Sequence, residues 1–273
     1  MERKLPESIV NLPPVLAQDL QFLFTDIDGT ITTGGILPDS SYRAIWKLAE
    51  AGIKVVLVTG RPAGWCDLLA RMWPVAGVIG ENGSFYYIYH RQNKRMERVH
   101  LISDDERIDG CRKLEKIREK VLKAVPRCAV AADQRFRITD LALDYREDID
   151  PPLGKTEIAD ICRIIEEEGA VYKISDIHIN CWYGDFDKLT CARQFLRNTA
   201  GRELVSIMDK IIYIGDSPND EPMFSAIQHS IGVANIRSFL EQLTWPPAYI
   251  TTLDSAEGFA ESVEQILKLR SAF

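Results

Sequence analysis

The chain has 273 residues and a mass of 30.9 kDa, between one large and two ordinary domains, so an insertion in a core is to be expected. With 46% apolar, 27% charged and 9% aromatic residues, it is composed as a soluble globular protein and not as a disordered or fibrous one. Thirty-three Lys plus Arg against 40 Asp plus Glu leave a net charge of -7, which argues against nucleic acid or an anionic membrane as partner.

No window holds the roughly 20 apolar residues that cross a bilayer, and the N-terminal stretch lacks the apolar segment of a signal peptide, so a cytoplasmic location is expected. The six cysteines (Cys66, Cys111, Cys128, Cys162, Cys181, Cys191) are scattered and contain no C-x-x-C pair. That spacing suggests neither a zinc site nor a disulfide framework, and the cysteines read as small core residues.

In chain order, the runs Phe22 to Phe24, Val55 to Val58 and Gly77 to Ile79 each end in small or polar residues. Ile211 to Ile214 and Ile231 to Ala234 follow the same rule later. Continuous apolar runs of this length predict strands buried on both faces, the habit of parallel sheets. Between the first two, Ile45, Leu48 and Ala49 recur at helical spacing, after an N-cap at Asp39 or Ser40 and before Gly52. Phe259, Val263, Ile266 and Leu267 mark a final helix. Strand alternating with helix predicts an α/β fold with a doubly wound parallel, Rossmann-like core, whose ligand site lies beyond the carboxyl ends of the strands.

From about Leu101 to Gly184 that rhythm breaks. A helix with Leu114, Ile117, Val121 and Val125 on one face precedes two predicted strands, Arg127 to Ala132 and Arg137 to Tyr145. A second helix, with Ile158, Ile161, Cys162 and Ile165, precedes strands Ala170 to Ser175 and Ile177 to Trp182. Two consecutive αββ units predict an inserted α+β cap over 101–184, in a core made of 1–100 and 185–273.

The segment Thr25-Asp26-Ile27-Asp28-Gly29-Thr30 delivers two carboxylates from a strand end, followed by a glycine that lets the chain turn over whatever they bind. A calcium loop does not fit, since counting from Asp26 puts Ile31 and Leu37 where Gly and Glu are required. An ordinary Asp-Gly turn is the plainer alternative. Against it, Thr59-Gly60-Arg61 ends the second strand, Lys188 stands where the core resumes, and Gly215-Asp216-Ser217-Pro218-Asn219-Asp220 ends a later strand. A parallel sheet would bring these tips to one edge, and clustered Asp oxygens without His or Cys favour a hard cation such as Mg²⁺.

These four motifs, in this order, resemble the haloacid dehalogenase-like phosphohydrolases, specifically the capped IIB-type group of sugar-phosphate phosphatases, over nearly the whole chain. The resemblance implies Asp26 as nucleophile and Asp28 as general acid/base, the latter protonated at the start with help from its charged neighbour. It implies phosphate contacts from Thr59, Gly60, Arg61, Lys188 and Asn219, and a Mg²⁺ held by Asp26, Asp28 and Asp216, with the share of Asn219 and Asp220 open. One departure is Leu189, where the family pattern has Gly after the lysine.

In the last cap strand His178, Asn180 and Trp182 alternate with apolar residues and share a face, which predicts substrate contacts there, as it does for Asp144 and Arg146. A half-exposed sheet gives the same alternation. The implied activity is a Mg²⁺-dependent phosphatase that acts on a small phosphorylated metabolite, a sugar or polyol phosphate, through an aspartyl-phosphate, in a monomer or small homo-oligomer. A sugar phosphomutase and a non-catalytic phosphometabolite-binding module are the alternatives.

Overall fold

The computed structural model describes residues 5–175 and 177–271. Strand β2 (Phe22–Thr25), buried at every position, lies between β3 (Lys54–Val58) and β11 (Ile211–Gly215), both parallel to it. The sheet runs outward on one side through β12 (Ser230–Gly232) and β13 (Tyr249–Ile250) to β1 (Glu7–Ser8). On the other side it continues through β4 (Gly77–Gly80) to β5 (Phe85–His90) and β6 (Arg95–His100). Pairing is parallel from β1 to β4 and antiparallel for the β5 and β6 hairpin, an element outside the sequence expectation.

Successive residues of a strand point to opposite faces, so each strand feeds two cores. Leu23, Val55, Leu57, Val78, Ile212 and Ile214 pack on one side with α1 (Pro14–Asp19), α2 (Asp39–Glu50), α3 (Ala63–Met72) and α8 (Ser255–Ser271). Phe22, Phe24, Val56, Val58, Ile79 and Tyr213 pack on the other with α6 (Lys188–Ala200) and α7 (Glu221–Ala226). Continuous apolar runs are therefore what the centre of the sheet requires, because β2, β4, β11 and β12 are buried at every position and β3 at all but Lys54. Helix α2 begins at Asp39, with Pro38 in the capping position predicted for Asp39 or Ser40.

A second sheet, antiparallel and ordered β7 (Ala129–Val130), β8 (Leu141–Asp144), β10 (His178–Trp182), β9 (Val171–Ile174), lies within the stretch predicted as the cap, and we use that word for it. Helices α4 (Asp104–Ala124) and α5 (Lys155–Glu167) cover it, and Leu114, Ile117, Val121, Ile161 and Ile165 join Leu141, Leu143, Ile179 and Cys181 in a separate core. Ser103 starts α4 with a reciprocal cap: its Oγ accepts from the Glu106 N–H, and Glu106 Oε2 accepts from the Ser103 N–H at 2.8 Å. Such a cap is worth about 1 kcal/mol.

The first two cap strands are shorter than expected. Residues 137–140 leave the sheet because their polar groups bond to the core loops, as described below. Five of the six cysteines are buried; Cys111, exposed on α4 with its Sγ 3.6 Å from Ile138 O, corrects the expectation that all are core residues. Among the described residues no helix is long and apolar enough to cross a membrane.

Candidate active site

Beyond Thr25 the backbone stays in the ladder for one more step, the Asp26 N–H donating to Ile214 O at 2.9 Å, and then turns. Gly29 makes that turn at φ 75°, and a Cβ there would stand 2.4 Å from Asp216 Oδ2, so only glycine lets the two loops close on each other. The tips of β2, β3, β4 and β11 thereby bring Asp26, Thr59, Asn82 and Asp216 to one edge. A cavity of about 530 Å³ opens there, lined from the core by Asp26, Asp28, Gly60, Arg61, Asp216 and Asn219 among others, and from the cap by His178 and Asn180.

Lys188 Nζ donates to Asp26 Oδ1 and Asp220 Oδ1, both at 2.7 Å, and more loosely to Asn219 Oδ1 at 3.3 Å. Burial pushes the Asp26 carboxyl up to about 8; Lys188 pulls it back, and Asp220 and Asp28 push it further up. Burial works against the charge of Lys188, yet Asp220 and Asp26 outweigh it and hold the ammonium well above its ordinary value. Asp216 accepts from Thr30 Oγ1 at 3.2 Å and from Asn235 Nδ2 at 3.0 Å.

Oxygens of Asp26, Asp216 and Asp220 all lie within 4.8 Å of one another. Three buried carboxylates face one ammonium in that cluster, an excess of negative charge that a hard divalent cation balances, and the all-oxygen donor set suits Mg²⁺. Asp220 supplies charge more than a free ligand atom. Its Oδ1 accepts from Lys188 and Tyr213, and its Oδ2 from the N–H groups of Asp216 and Ser217. Asp26 is different: Lys188 takes Oδ1, and among the described residues nothing donates to Oδ2. The Asp28 carboxylate, expected in the metal set, is not in this cluster. Arg61 turns it away with Nε at 3.0 Å from both its oxygens and Nη2 at 2.8 Å from one.

Arg61 is itself held from the cap, with Nη1 3.3 Å from Glu147 Oε1 and 3.8 Å from Asp133 Oδ2. Burial opposes the charge on Arg61, and Asp28 with Glu147 more than restores it. His178 Nε2 lies 2.9 Å from Glu147 Oε2 without hydrogen-bond geometry. That neighbour, with Arg61, draws the Glu147 carboxyl down to about 2 against the pull of burial. Asn180 Nδ2 donates to Asp140 Oδ2 at 2.8 Å.

Four of the expected residues stand apart from the cavity wall, among them Asp144, whose buried carboxylate is taken up by the N–H groups of Arg146, Glu147 and Asp148. Thr59 is fully buried, its Oγ1 accepting from the Arg61 N–H at 3.0 Å, so it shapes the loop from beneath. Lys188 sits behind Asp26. Trp182 corrects the expected set of cap contacts: it shares the face of His178 and Asn180, but at the strand end its ring stacks on Phe186 with centroids 5.6 Å apart, outside the cleft.

The residues that join cap to core escaped the sequence reading. The fully buried Glu81 accepts at Oε1 from the N–H groups of Ala63 (2.9 Å) and Ile138 (3.0 Å), and at Oε2 from Thr139 (2.7 Å) and Asp140 (3.3 Å). Burial, then Asp140, push its carboxyl up to about 8, and Arg137 and these N–H groups draw it back. Arg137 pairs with Asp133 and Asp140 and donates to Gly60 O at 2.9 Å. The N–H groups of Asn82 and Glu81 take Thr59 O and Arg61 O, both at 3.1 Å. Three consecutive carbonyls of the 59–61 loop are thus fixed, the middle one by the cap.

Comparison with known proteins agrees with this geometry. Residues 23–124 match the family model of haloacid dehalogenase-like hydrolases. The chain is 23% identical over 257 residues to a phosphoglycolate phosphatase of Methanobrevibacter smithii, covering 91% of this chain and 99% of the relative. It is 26% identical over 252 residues to the phosphoglycolate phosphatase of Methanoculleus marisnigri, covering 90% and 96%. Protein 0175 of Thermoplasma acidophilum has the same fold at TM-score 0.69 and 19% identity, over 92% of this chain and 99% of that one. The sucrose-phosphatase of Synechocystis sp. PCC6803, solved with sucrose and phosphate, superposes at TM-score 0.62 and 15% identity, over 91% and 98%. Fold and site define a capped α/β hydrolase. Over residues 23–124 the chain is similar to the haloacid dehalogenase-like hydrolases, and over nine-tenths of its length to the phosphoglycolate phosphatases named above.

Proposed function

We propose that this chain is a Mg²⁺-dependent phosphatase that hydrolyses a small phosphorylated metabolite, with Asp26 as nucleophile. The observation that carries the reading is Asp26 itself: a buried carboxylate at a strand tip that lines the cleft beside Asp216, one oxygen on Lys188 and the other without a donor among the described residues. Asp26 and Asp216 would hold the cation, with Asp220 adding charge behind them; when bound, it offsets the charge of the phosphate and of Asp26. Asp26 attacks phosphorus in line and takes the phosphoryl group as an acyl phosphate, while the ester oxygen leaves as an alcohol. Water then returns Asp26 and releases inorganic phosphate.

In this reading Asp28 gives a proton to the leaving oxygen and later takes one from the attacking water. Its pairing with Arg61 adds a condition, since Asp28 must leave the guanidinium to do so. An arriving phosphate, doubly negative, competes for Arg61 and frees it. Sugar and polyol phosphates are the first substrates to test, together with phosphoglycolate, which the relatives' names carry. Phosphate release from such a panel, with and without Mg²⁺, tests the reading; a sugar phosphate converted to an isomer without release would replace it with a mutase.

A further inference from the structure

Four charged cap side chains line the cleft: Arg137, Arg146, Glu147 and Lys173. Two are already answered. Arg137 is neutralised by Asp133 and Asp140, and Glu147 by Arg61. Arg146 and Lys173 are not: both line the cavity, and among the described residues neither side chain has a hydrogen-bond or ion-pair partner.

Both positions are built by the fold. Lys173 stands opposite Asn180 in the register of β9 on β10, so the two share the sheet face that meets the cleft. Arg146 follows β8, on the other side of β10, in a loop that Asp144 pins. The buried Asp144 carboxylate accepts from the N–H groups of Arg146 and Glu147 at 2.8 Å and of Asp148 at 2.9 Å. The cleft is therefore acidic where the core holds Asp26 and Asp216, and carries at its cap end two cations that no other described residue pairs with.

We propose that Arg146 and Lys173 form a subsite for a second anionic group, a carboxylate or another phosphate, on the leaving-group side of the substrate. The inference rests on the phosphatase reading and narrows it. A neutral polyol filling the cavity would desolvate both cations and return nothing, whereas an anion accepts charge-assisted hydrogen bonds from each. The planar guanidinium suits a two-oxygen acceptor, and the ammonium adds a point charge.

Matched esters test it. Phosphate release is measured for 2-phosphoglycolate against 2-hydroxyethyl phosphate, and for fructose 1,6-bisphosphate against fructose 6-phosphate, with p-nitrophenyl phosphate as a generic substrate. The first pair reports a carboxylate, the second a phosphate. At least one anionic member is expected to exceed its neutral mate about 10- to 100-fold in kcat/KM, the scale of one or two charge-assisted bonds. That ratio falls about tenfold or more in Arg146→Gln and in Lys173→Gln, and Arg146→Lys keeps part of it. Equal kcat/KM within both pairs, or a ratio that survives the double variant, overturns the subsite and leaves the phosphatase. No release from any ester, p-nitrophenyl phosphate included, overturns the phosphatase reading and the subsite with it.

Discussion

At the scale of single residues, the chemistry depends on which charges touch. Asp28 faces Arg61 and not the acidic cluster, a placement that suits proton transfer rather than metal binding. Asp28→Asn is then expected to slow hydrolysis of alkyl phosphates more than of p-nitrophenyl phosphate, whose leaving group needs no proton. Equal losses on both would remove that role. Gly29 is held at φ 75° against Asp216, so Gly29→Ala is expected to displace Asp216 and lower kcat/KM about tenfold or more. Unchanged kinetics would show that this close approach is dispensable. Glu147 supplies a pH dependence with a definite sign. Its folded value, about 2, lies below the ordinary 4.5, so its contribution to stability is complete above about 4.5 and is lost as pH falls toward 2. The melting-temperature difference between wild type and Glu147→Gln should therefore be present at about pH 5, where an ordinary imidazole is charged, and shrink as pH falls toward 2; a difference that grows over that window has the wrong sign for this pairing.

Elements show what a sequence exposes and what it conceals. Strands β2, β3 and β11 are legible because a strand buried on both faces must be apolar throughout, and Phe22, Val56 and Ile212 have no other reading. The β5 and β6 hairpin is not legible: its turn needs a residue in the left-handed region, and Lys94 takes it at φ 54° where a glycine would have signalled it. Residues 137–140 alternate as a strand would, but Glu81 and Gly60 O compete for their polar groups and win. Nothing near Glu81 in sequence announces that its partners lie 57 to 59 positions onward. The clamp has a measurable consequence. Glu81→Gln leaves one oxygen and one amide facing donors that need two acceptors, so amide exchange at Ile138, Thr139 and Asp140 should accelerate while the packing of α2 on α8 stays protected. Equal acceleration throughout would mean that cap and core open as one unit.

Across the whole molecule, two sheets with separate cores meet at a cleft that is acidic on one side and basic on the other. The motifs that make the core side were readable because each follows a buried strand; the cap side was readable in part, through the alternation that marked His178, Asn180 and Arg146, whereas Lys173 looks like a solvated surface charge until the fold sets it opposite Asn180. Burial also ranks the thiols. Desolvation raises Cys66 and Cys191 well above the ordinary range, so Cys111, the exposed thiol, is expected to react first with a maleimide in the native protein. Labelling of buried thiols at the same rate would contradict the packing. The central claim is that phosphorus passes through Asp26. Its most direct test is rapid acid quench during turnover with Mg²⁺, then borohydride reduction and peptide mass spectrometry, which convert an aspartyl-phosphate into homoserine at the labelled position. Homoserine is expected at position 26, absent without substrate and absent in Asp26→Asn; modification elsewhere, or full turnover by Asp26→Asn, would contradict a phosphoryl transfer through Asp26.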